Sequence, residues 1–147
     1  MSGECRNIYK AARRAAGFTQ ERAAELLEIS VRSLADYETG QRTPPNDVVE
    51  DMVDCYDYQR LAYQHLKETN ALAGRIIPSV QERSLMESAV RLYNRLNRFS
   101  ASHSVERLLE IAEDGRIDQE ERADFDAIVA ELKALVQCGM ELDLCRE

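Results

Sequence analysis

The chain has 147 residues, 44% hydrophobic and 31% charged, which suits one domain or two small ones and excludes a chain disordered by composition. Its net charge of −8 argues against a generic polyanion binder. No apolar run approaches the roughly 18 residues needed to span a bilayer, and the opening MSGECRN is polar without an apolar signal core, so a cytoplasmic protein is expected.

The apolar spacing is helical throughout, no stretch alternates strictly, and the expected fold class is all-α. Gly17, Gly40, Gly74 and Gly115 each follow an apolar run and are expected to end helices. Helix one is expected over about 6–16, with Ile8, Ala12 and Ala15 on one face. Thr19 suits the cap of helix two, about 20–27, because its hydroxyl can accept an orphan backbone N–H; Glu21 suits the positive helix start. Ser30 can cap helix three, about 31–38, with Leu34 and Tyr37 facing inward. Pro44 and Pro45 break the chain, and a fourth helix starts near Asn46 with Val49, Met52, Val53 and Tyr56 as its apolar face. The pattern then runs less cleanly through Leu61, Leu66 and Leu72 to Gly74.

After GRIIP a different region begins. Ser79 with Glu82 reads as a capping box, and the helix beyond it carries a stripe of Leu85, Ala89, Leu92, Leu96 and Phe99, widened by Met86, Val90 and Tyr93. That stripe suits either an intramolecular core or, in part, a dimer seam. A short helix is expected over about 105–113, and Asp118 with Glu121 makes a second capping box. The last helix carries Phe125, Ile128, Leu132 and Leu135. The expected division is therefore 1–75 and 78–147.

Two short helices joined by a tight turn make a helix-turn-helix when the second can project its outer face into a major groove. Ala24 is small enough for the crossing point, and Leu27, Ile29, Leu34 and Tyr37 can hold the pair together. Ser30, Arg32, Ser33 and Asp36 leave the outer face of helix three polar and varied. The stretch FTQERAAELLEISVRSLADYETGQRTPP, with Thr-Gln-x-x-x-Ala, Ile-Ser, Ser-x-x-x-Tyr-Glu-x-Gly and Pro-Pro, closely resembles the helix-turn-helix of phage repressors and Cro proteins, the XRE family. The resemblance covers about residues 6–57. The stretch RLLEIAEDGRIDQEERADFDAIVAELKAL resembles, more weakly, the C-terminal part of small XRE-family regulators of Firmicutes and their prophages or mobile elements.

The resemblance implies a DNA-binding transcription regulator, repressor-like in type and acting on double-stranded DNA. Gln20 matches the family's phosphate-touching glutamine. Ser30, Val31, Arg32 and Asp36 match positions that face base edges. Arg42 and Thr43 match the loop that grips the backbone. Arg13 and Glu38 match a pair that is salt-bridged and largely buried in many members. The chemistry suits these roles: Arg32 can bond guanine bidentately, Val31 can touch a thymine methyl, and Asp36 can accept from a cytosine amino group. Gln20 and Arg42 would position the domain without reading sequence. One departure is Glu28, which stands where the turn usually has glycine and puts a carboxylate near the DNA-facing side.

Residues 1–43 are close to neutral, and the acid is concentrated after residue 46. Because the family reads paired half-sites, a homodimer is expected, with the C-terminal helices joining subunits or receiving a protein partner. The rival is a protein-interaction module that kept the fold and lost the DNA site; the acidic balance, Glu28 and Asp36 favour it.

Cys5, Cys55, Cys138 and Cys145 lack Cys-x-x-Cys spacing, lie far from His65 and His103, and are read as free thiols rather than zinc ligands. The stretch EDGRIDQEE faintly resembles a calcium loop, but Ala112 and Glu110 stand where ligating residues belong, so no metal and no cofactor is expected. No phosphate-cradling glycine loop, zinc-protease helix or nucleophile elbow is present, and an enzyme is not expected.

Overall fold

The computed structural model describes residues 7–145, which form nine α-helices and no strand. The chain divides into two compact units, residues 1–75 and 76–147. No helix among the described residues is long and apolar enough to cross a membrane.

The first unit is built from α1 (Ile8–Ala15), α2 (Gln20–Leu26), α3 (Val31–Thr39), α4 (Asn46–Tyr56) and α5 (Arg60–Thr69), followed by the short α6 (Ala73–Ile76). Polar caps start the first three. The side chains of Asn7, Thr19 and Ser30 accept the backbone N–H of Lys10, Arg22 and Ser33 at 3.0, 3.2 and 3.0 Å. Arg6, included at the start of the first expected helix, lies outside the described residues. Gly40 ends α3 with φ +78°, a left-handed conformation that glycine adopts without steric cost. The core gathers Ala12, Ala23, Ala24, Leu34, Met52 and Leu61, with Tyr37 and Tyr56 closing over it.

Two expectations fail here. The apolar pattern expected to run on through Leu61, Leu66 and Leu72 holds only in part: Asp57 takes a left-handed φ of +48°, the chain restarts as α5, and Leu61 is buried while Leu66 and Leu72 face solvent. Gly74 does not end a helix but lies inside α6.

The second unit contains α7 (Leu85–Ala101), α8 (Ser104–Ala112) and α9 (Arg122–Asp143). Its helix does not start from Ser79. Ser84 caps α7 instead, accepting from the Glu87 N–H at 3.2 Å. The segment before it is held out of the helix by Pro78 and by the Gln81 N–H, which donates to Glu141 at 3.1 Å on α9. Asp118 and Glu121 exchange reciprocal bonds of 2.8 and 3.2 Å just ahead of α9. Helices α7 and α9 run antiparallel: the Ser88 hydroxyl meets the Cys145 thiol at 3.3 Å, whereas Ser104, past the far end of α7, donates to Glu131 at 3.0 Å.

Candidate nucleic-acid interface

The turn between α2 and α3 begins with Leu27 packed in the core and the Ile29 N–H returning to the Ala24 carbonyl at 3.0 Å. Glu28 bridges them at φ +53°, the left-handed conformation for which glycine is suited. Leu34 and Tyr37 then bury the inner face of α3, so its first turn and outer face project outward.

Ser30, Val31 and Arg32 are exposed at that first turn. Ser30 is already committed to structure: besides capping α3 it donates to the Ser33 hydroxyl at 2.9 Å. Arg32 and Asp36 are four residues apart and share one side of the helix. Arg42 meets Asp36 from the following loop. Its N–H donates to the Asp36 carbonyl at 3.2 Å, its guanidinium lies 5.5 Å from the Tyr37 ring centroid, and it approaches the Asp36 carboxylate to 4.0 Å. Thr43 is exposed beside it, ahead of the buried Pro44.

Residues 10–66 match the family model of a helix-turn-helix domain. No curated protein and no solved structure matches the chain.

Beneath the exposed face of this helix-turn-helix domain lies a buried ionic cluster. Arg13 Nε donates to Glu38 Oε1 at 2.6 Å and Nη2 to Oε2 at 2.9 Å, while Nη1 donates to the Phe18 carbonyl at 2.6 Å. Gln20 Nε2 donates to Glu38 Oε2 at 2.8 Å. The amide expected to touch a phosphate therefore spends one N–H on Glu38 and retains a second. Burial pushes the Glu38 carboxyl up, but the bonds from Arg13 and Gln20 outweigh it and hold the group below the ordinary carboxylate range. The hydrogen bond to Glu38 in turn raises the Arg13 guanidinium.

Other tying residues carried no signal in the sequence reading. Asn7 Nδ2 donates to the Tyr37 carbonyl at 2.8 Å, fastening α1 to α3. His65 is buried between the Tyr9 hydroxyl at 2.8 Å and Asn46 Oδ1 at 2.9 Å, linking α1, α4 and α5. A carboxamide oxygen only accepts, so His65 carries its proton on Nε2 and accepts from Tyr9 at Nδ1. Burial lowers the His65 imidazole, and burial with nearby Glu68 pushes Tyr9 up to about 12.

Among the described residues no group of three or more His, Cys, Asp or Glu is placed to hold a metal ion. Cys55, Cys138 and Cys145 are free thiols, and Cys5 lies outside the described residues.

Proposed function

We propose that the chain is a sequence-specific, DNA-binding transcriptional regulator that acts as a dimer by occupying an operator. The observation that carries this reading is the placement of Val31 and Arg32, exposed at the first turn of α3 on a helix whose other face is locked into the core, with Arg42 held against Asp36 and Tyr37 further along it. The first turn of the second helix is the part that reaches base edges in this motif.

Arg32 is the reader of guanine, Val31 the contact for a thymine methyl, and Asp36 the acceptor for a cytosine amino group. Ser30 serves base reading only with the lone pair its cap leaves spare. Gln20, Arg42 and Thr43 position the domain on phosphates. Stacking on Tyr37 holds Arg42 ready, so less side-chain freedom is lost on binding. The dimer doubles these contacts, and the reading keeps the cytoplasmic location expected of a DNA-binding chain without a membrane span.

Fluorescence anisotropy on DNA from upstream of the protein's own gene, beside scrambled duplex, tests the reading. Tight binding that prefers the native duplex and weakens steeply between about 50 and 200 mM salt supports it. A second reading is a protein-interaction module. The closeness of the Asp36 carboxylate to Arg42 favours it, because it partly neutralises the cation expected to meet phosphate. Absence of binding to either duplex at low salt would select that reading.

A further inference from the structure

The second unit hides little of its apolar surface. Among its described residues the buried apolar side chains are Val80, Ile111, Ile128 and Cys138. That is a small core for a unit of this size, below what usually stands alone. On α7, by contrast, Leu85, Met86, Val90, Tyr93 and Leu96 are 48–74% exposed, and on α9 Leu132 and Val136 are 37% and 56% exposed.

These side chains form one face. Each residue turns a helix by about 100°. On α7 the exposed group lies roughly a third of a turn onward from the inward line through Ser88 and Leu92, and on α9 it lies roughly a third of a turn onward from the line through Ile128 and Cys138. The offset has the same sense in both helices. Because the helices are antiparallel, the same sense leads to the same side of the pair. The α7 positions between the large side chains are Ala89, Asn97 and Ser100, so that side of α7 carries no charge.

We infer that this face of α7 and α9 is the seam between two copies of the chain. Three observations select a second copy. A face this large exceeds the few hundred Å² that monomers ordinarily expose, and burying seven large side chains supplies on the order of 800 Å² per partner, the size of a stable interface. Each copy carries a net charge of −8, so a self-seam needs a middle free of charge, and the α7 side has one; a partner recognised by charge would find nothing to bind there. A face that completes a small core must be filled whenever the chain is folded, and the partner always present is the chain itself. This seam supplies the dimer of the proposed function, but its test contains no DNA, so either can fail without the other.

Sedimentation equilibrium on the full chain, from about 1 to 100 µM, is expected to give twice the 16.8 kDa chain mass, with a thermal midpoint that rises with concentration. Tyr93→Arg is expected to weaken the dimer at least tenfold, while Ala130→Arg, exposed on α9 away from this face, leaves it intact. A wild-type chain that stays at monomer mass with a concentration-independent midpoint overturns the inference. So does a dimer that Tyr93→Arg does not disturb. Should Tyr93→Arg lose its helical signal, the wild-type dilution series and the milder Val136→Ala, expected to raise the dissociation constant, decide the matter.

Discussion

Arg13 and Glu38 are joined by two parallel hydrogen bonds, 2.6 and 2.9 Å long, between the first helix and the last turn of α3. The carboxylate side chain is 1% exposed and the guanidinium 8%, so neither charge has an alternative partner in bulk water. Glu38→Gln is expected to lower stability by about 3–5 kcal/mol, because it strands the arginine charge. The folded carboxyl titrates below its unfolded value of about 4.3, so its stabilisation is full above that pH and is lost as pH falls through the folded value. Urea unfolding from neutral pH into the acid range checks both effects. An unchanged urea midpoint at neutral pH contradicts the role given to the pair.

Glu28 is strained by its left-handed backbone. Glu28→Gly should stabilise the domain by about 0.5–1 kcal/mol, since relief of a cost of about 1–2 kcal/mol is partly offset by glycine's extra freedom when unfolded. Glu28→Ala keeps the strain and should gain nothing. Thermal unfolding of the two variants separates backbone strain from loss of the carboxylate.

The buried His65 makes stability depend on pH. Its folded value lies below the ordinary histidine value, so the unfolded chain binds a proton first. Stability is then full above about pH 6.5 and falls as pH drops from there toward the folded value. The thermal midpoint should decline over that window in the wild type, and the decline should shrink in His65→Gln. Equal slopes in the two proteins would remove His65 as the cause.

Arg32 and Arg42 should fail differently on DNA. Arg32→Ala should cost about 1–3 kcal/mol at one base pair and relax discrimination there. Arg42→Ala should weaken binding to all duplexes alike and reduce the salt slope by about one. Competition binding with single-base variants at several salt concentrations distinguishes the two patterns.

The sequence makes legible what local chemistry decides. Thr19, Ser30 and Gly40 mark the ends of α2 and α3 through a hydroxyl or a missing side chain, and the structure uses all three. The start of α7 is ambiguous in the sequence because Ser79–Glu82 and Ser84–Glu87 carry the same pattern. The choice between them is made by Glu141, far along the chain, which holds the Gln81 N–H. Long-range pairs leave no periodic trace. Arg13 and Glu38 came from family resemblance, and the 56-residue link from Tyr9 to His65 was not visible at all. The stripe on α7 was legible as apolar, but which part of it faces inward depends on where α9 packs.

Whether the outer face of α3 reads base sequence is decided by selecting duplexes with the full chain from a random pool. A base-reading α3 converges the pool on one motif, made of two related half-sites about 10 base pairs apart or a multiple of that, and Arg32→Ala abolishes the enrichment of one base pair within it. A pool that remains random after repeated rounds at low salt, or a motif that Arg32→Ala leaves unchanged, would contradict it.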